Sequence, residues 1–217
     1  MRALLAPTSG LLSSGSMAEE RGRFELGSER LEAFSDAVIA VIITIMAFQL
    51  DTPHGATWTA VRGALPGLLV YILSFTFVGI YWNNHHHLLR ATERISGAVM
   101  WTNLFLLFWL SLIPVLTEWL AVKHGYRYAL PAAAYGAVAL AAGFAYSLLV
   151  RALIRANGRD SAVARAIGSD VKGYLSLGLY AAGVAFAVVS PWISYALYVA
   201  VALMWFVPDR RFVRATR

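Results

Sequence analysis

Ser35 and Asp36 stand where a polar head gives way to Ala37–Leu50, an apolar run without charge. The head reads Arg30-Leu31-Glu32-Ala33-Phe34-Ser35-Asp36. An ionisable group at or inside the edge of an apolar helix is costly in lipid and usually faces protein or water. A helix built this way can line an ion pathway. Arg30 and Phe34, four apart, share one helical face. Ser35 and Asp36 turn towards neighbouring helices. The plainer use of this pair is to cap and charge the helix start, where the helix dipole favours Asp36.

The second chemical cluster is Trp82-Asn83-Asn84-His85-His86-His87, followed by Leu88, Leu89 and Arg90. Three histidines invite a metal reading. Consecutive helical residues point about 100° apart, so the three cannot converge on one ion, and no metal site is expected. Read from the residues alone, Trp82, His85 and His86 make a polar, solvated helix end. Ser35 or Asp36 is expected to hydrogen-bond to one of the histidines, with Arg30 joining them. Glu118 and Asp51 are acidic groups at the opposite edge, where they can form a weak cation-attracting vestibule. No nucleophile elbow, HExxH, phosphate loop or dinucleotide fingerprint occurs, so no enzyme is expected.

The elements that must position these groups are membrane helices. Of the 217 residues, 59% are hydrophobic and only 14% charged, with mean hydropathy +0.62. A soluble domain carries about a quarter charged residues. Six candidate spans lie near 31–50, 65–82, 98–120, 131–150, 174–189 and 192–207. Pro114 is expected to kink the third. NNHHHLLRATERIS is expected to be a polar linker after the second. The fourth is rich in small residues, including Gly136, Ala139 and Gly143, which permit close helix approach. Residues 1–22 read as a disordered tail, 23–207 as one six-helix membrane domain and 208–217 as a basic tail. Without cysteine there is neither disulfide nor thiolate site. The net charge of +6 fits loops and lipid headgroups; nothing reads as a nucleic-acid module.

Six spans place both termini on one side. Of the 18 Lys and Arg, only Arg62, Lys123 and Arg127 then fall on the other side. The positive-inside rule therefore puts both termini in the cytoplasm, in a multi-pass plasma (inner) membrane protein.

The stretch RLEAFSDAVIAVIITIMAF resembles the first helix of the transmembrane-protein-175 family, the potassium-permeable channels of lysosomes and their bacterial relatives. The pattern carrying the resemblance is Arg30-x-x-x-Phe34-Ser35-Asp36. It implies an all-α protein with six transmembrane helices per subunit and a pore on the axis of a homotetramer. It implies that the first helices line that pore without a carbonyl filter loop. No TVGYG-like segment is present, so selectivity would come from side chains. The resemblance places the narrowest ring at Val41, a polar position at Thr44 and an outer apolar ring at Phe48. Positions 41, 44 or 45, and 48 share one face, which brings in Ile45. Permeating potassium is expected near Val41 and Thr44, and no cofactor is implied.

The reading is thus a homotetrameric, lipid-embedded potassium-permeable cation channel. Its gate is Val41, Thr44, Ile45 and Phe48. Its supporting network is Arg30, Phe34, Ser35, Asp36, Trp82, His85 and His86. The rivals are a proton-coupled secondary transporter, with Asp36 and the histidines as relay, and a non-transporting membrane scaffold.

Overall fold

In the computed structural model of the chain, residues 9–168 and 170–206 are described; the expected basic tail 208–217 lies outside them. The described residues form α-helices and one 3₁₀ turn, Val122–Arg127. The helices are α1 (Ser9–Phe48), α2 (Trp58–Arg90), α3 (Gly97–Ser111), α4 (Ile113–Ala121), α5 (Ala129–Asn157), α6 (Ala162–Ile167), α7 (Val171–Phe186) and α8 (Pro191–Phe206).

Four apolar helical stretches are long enough to cross a membrane: Gly27–Phe48, Trp58–Arg90, Gly97–Ala121 and Ala129–Asn157. α7 and α8 are apolar but shorter, at 16 residues each. The chain is a multi-pass, all-helical membrane protein.

Three expectations need correction. Helix α1 begins at Ser9, inside the stretch expected to be a disordered tail. After Pro7 no proline interrupts the chain before Pro53, and Ala, Leu, Glu and Arg favour helix. Helix α2 likewise runs on to Arg90, through most of the expected polar linker. Polarity alone does not end a helix, and no Gly or Pro lies between Trp82 and Arg90 to do so. The true connection is residues 91–96, and Asn157 at the end of α5 holds it. The Asn157 Oδ1 accepts from the backbone N–H groups of Glu93 and Arg94 at 3.1 and 2.8 Å, while Nδ2 donates to the Arg94 carbonyl. The third correction concerns the fourth span, expected to end near 150: α5 runs two turns further to Asn157, and α6 follows before α7.

The third span is broken between α3 and α4 at Leu112, two residues before Pro114. Proline has no N–H for the preceding turn and crowds its carbonyl, so the helix restarts there.

Helix α1 packs on α2, α3 and α4, and α5 packs on α3, α4, α7 and α8. The small residues of α5 do what was expected of them. Ala132, Ala139, Ala142 and Ala145 are fully buried in the core. Gly136 of α5 and Gly183 of α7 both lie against Tyr198, whose hydroxyl donates to the Ala132 carbonyl at 3.1 Å. A methyl group at either glycine would run into the tyrosine ring or its hydroxyl. Close approach of this kind is how helices gain van der Waals contact where lipid offers no hydrophobic drive.

Candidate functional site: the two faces of the first helix

Helix α1 has one packed face and one open face. Ser35, Ile39, Ile42 and Met46 point into the bundle and are buried. Phe34, Val41, Thr44, Ile45 and Phe48 are exposed, as is Arg30. Ile42 is 3% exposed and Ile45 is 44%, three residues along the same helix. Every residue expected to line a pore therefore lies on the face that this chain leaves uncovered.

Thr44 is the polar member of that face. Its hydroxyl donates to the Ala40 carbonyl at 2.8 Å. The proton is thereby turned into the helix, and the oxygen lone pairs are left on the outer side. Such an oxygen can accept from water or lie against a cation.

The packed face is fixed at its N-terminal end by a buried polar chain. His85 Nε2 lies 2.7 Å from Asn103 Oδ1. Asn103 Nδ2 donates to Ser35 Oγ at 2.9 Å, and Ser35 Oγ donates to the Leu31 carbonyl at 2.8 Å. Because a carbonyl oxygen only accepts, this arrangement makes Nε2 the protonated nitrogen of His85. All three side chains are fully buried, on α1, α2 and α3. In a low-dielectric interior a satisfied chain of this kind rigidifies, and a broken one leaves costly orphans.

The expected hydrogen bond from the motif serine to a histidine is replaced by an indirect link, with Asn103 standing between Ser35 and His85. Asn103 belongs to no motif and lies in an apolar span. Its signal was an amide in the uncharged run Ala98–Ala121, apart from Glu118, where a polar side chain must find a partner. Arg30 does not join this chain; it is exposed on the open face with Phe34.

The neighbouring histidine goes elsewhere. His86 Nδ1 lies 2.7 Å from Glu32 Oε1, and its ring stacks on Trp82 with centroids 5.7 Å apart. Arg90 Nε lies 3.5 Å from the same Glu32 oxygen. As the 100° step between residues requires, His85 and His86 serve different partners. Glu32 was the missed residue: it sits four before Asp36, on the same helical face.

At the other end of α1, Gln49 Nε2 donates to Glu118 Oε2 at 2.9 Å, tying the helix to α4. A second polar layer lies below it. There Thr117 Oγ1 is 2.7 Å from Ser74 Oγ, which is 3.2 Å from the Tyr135 hydroxyl. Asp51 is exposed beyond the helix end.

A helix locked on one side and bare on the other, in a membrane, needs either lipid or another protein on its bare side. Comparison with known proteins narrows this. The family described as "Endosomal/lysosomal potassium channel TMEM175" matches residues 30–114. A potassium channel of Chryseobacterium sp. (strain P1-3) is 44% identical over 188 residues, covering 87% of this chain and 97% of the relative. The chain belongs to the TMEM175 family.

More distant similarities are also found. A potassium channel of Streptomyces collinus is 33% identical over 128 residues, covering 56% of this chain and 62% of the relative. The fold matches the crystal structure of a lysosomal potassium-selective channel TMEM175 homolog from Chamaesiphon minutus. The TM-score is 0.72 and the identity 23%, over 83% of this chain and 97% of the other. The family is one of ion channels and not of enzymes. The TMEM175 match, 30–114, contains the open face of α1 and all of Ser35, His85 and Asn103.

Proposed function

We propose that this protein is a potassium-permeable cation channel of the bacterial TMEM175 type, with potassium as the permeant and no cofactor. Its relatives are potassium channels by name. Four copies assemble so that the open faces of their α1 helices surround one axis. Val41 forms the apolar constriction, Thr44 and Ile45 the layer beside it, and Phe48 the outer ring. A ring of valines resists wetting, so small movements of α1 open or close it. Four Thr44 oxygens replace part of the hydration shell of a passing ion. The buried Ser35–Asn103–His85 chain holds each α1 against its own subunit, so that the pore-facing side chains keep their register. Residues 23–207 make the channel domain, with α7 and α8 completing six spans and lipid surrounding the assembly. Both termini are cytoplasmic in the plasma membrane.

The observation that carries this reading is the pattern of exposure along α1. The residues at 34, 41, 44, 45 and 48 are uncovered in the single chain while 35, 39, 42 and 46 are sealed. Potassium and sodium flux into liposomes tests it. Val41→Ala is expected to raise conductance and to lower discrimination against sodium; unchanged flux and unchanged discrimination would remove the pore assignment. The absence of cysteine makes orientation easy to read. Single cysteines placed near either end should react only with reagents supplied from the cytoplasmic side, and labelling from outside would reverse the topology.

A further inference from the structure

Glu32, Asp36 and His86 each direct one ligand atom into a common space, the three atoms lying within 4.8 Å of one another. They come from two helices. Glu32 and Asp36 are one turn apart on α1, and His86 faces them from α2. His86 is held in place by its stack on Trp82, and Glu32 by Arg90. The cluster is more than a pair of carboxylates, since one of its three donors is an imidazole nitrogen.

Two of the donor atoms also lack an ordinary partner. Asp36 Oδ1 and His86 Nδ1 are buried atoms with no hydrogen bond. His86 Nδ1 approaches Glu32 Oε1 to 2.7 Å, yet the contact is off the line of an N–H···O bond. Buried polar atoms are almost always satisfied, and orphans that converge point to something missing between them. A cation can take all three donors at once, because the two carboxylates and an unprotonated His86 Nδ1 each offer it a lone pair.

We propose that Glu32, Asp36 and His86 bind a first-row divalent transition metal ion. One imidazole with two carboxylates suits Mn²⁺ to Zn²⁺, while the nitrogen donor disfavours Ca²⁺ and Mg²⁺. Water completes the coordination. The ion ties α1 to α2 at the end where the Ser35–Asn103–His85 chain already joins them. On the pore reading above, such a tie restrains the pore helix and lowers potassium flux. The binding itself does not depend on that reading.

The test is Co²⁺ titration of the purified full-length protein, followed by calorimetry and by the visible d–d absorption of the bound ion. One saturable site per chain is expected, with nitrogen and oxygen ligands. Binding should weaken at least tenfold in His86→Gln and in Glu32→Gln, and stay as in the wild type in His54→Gln and His124→Gln. Equal binding by His86→Gln and the wild type, or no saturable binding at all, overturns the site. Should His86→Gln fail to fold, diethyl pyrocarbonate labelling of the wild-type protein decides instead. Co²⁺ is expected to protect His86 in preference to His124, and equal labelling with and without Co²⁺ counts against the proposal. Saturable binding with unaltered flux would keep the site while removing its link to the pore.

Discussion

The two faces of α1 are made of much the same residues and are used in opposite ways. Ile39, Ile42 and Met46 on one side are buried against α2, α3 and α4; Val41, Ile45 and Phe48 on the other are bare. Both faces are apolar, so hydrophobicity does not separate them. The difference lies in their polar members. Ser35 on the packed face shares its hydroxyl with Asn103 and the Leu31 carbonyl, inside protein. Thr44 on the open face spends its proton on its own helix and leaves its oxygen outward. One face is anchored by interhelical hydrogen bonds, which only a fixed partner can complete. The other makes no such commitment and can meet water, ions or a second copy. That division suits a pore helix, which must be rigid towards its own subunit and smooth towards the axis.

The contrast can be broken by mutation. Asn103→Leu should cost the most, about 2–3 kcal/mol, because it strands the buried His85 nitrogen and removes the donor to Ser35. Reversible unfolding in mixed micelles measures it, and a loss below about 0.5 kcal/mol would mean the polar chain contributes little. Ile42→Ala should cost about 2 kcal/mol, at the low end for a core isoleucine, since lipid weakens the transfer term and leaves lost packing as the main cost. Ser35→Ala removes two hydrogen bonds of the packed face and should cost about 1 kcal/mol. Ile45→Ala, on the open face, should cost under about 0.5 kcal/mol in the dissociated subunit. Its effect belongs in ion flux and in subunit association. A stability loss for Ile45→Ala matching that of Ile42→Ala, in monomeric protein, would erase the distinction between the faces.

Much of the helix plan was visible in the residue order. The break before Pro114, the small residues of α5 and the apolar runs all follow from local rules. Boundaries were less legible. α2 continues through Asn83 to Arg90 because polar residues do not stop a helix that lacks Gly or Pro. The candidate site was readable as a face, from the 3.6-residue period, but not as a network. Nothing local says that Asn103 sits between Ser35 and His85, since 68 residues separate it from the first and 18 from the second. Nor does anything local single out His86 from its two neighbours for Glu32.

By itself the order of residues determined that the chain is helical, embedded in a membrane and built around Arg30–Phe48, because helical period, lipid cost and proline chemistry act over a few residues. Which histidine meets which helix, which side of α1 is sealed and where Glu32, Asp36 and His86 converge were decided only in the packed bundle. Such contacts depend on how helices rotate about their own axes, and rotation is set by the fit of whole surfaces.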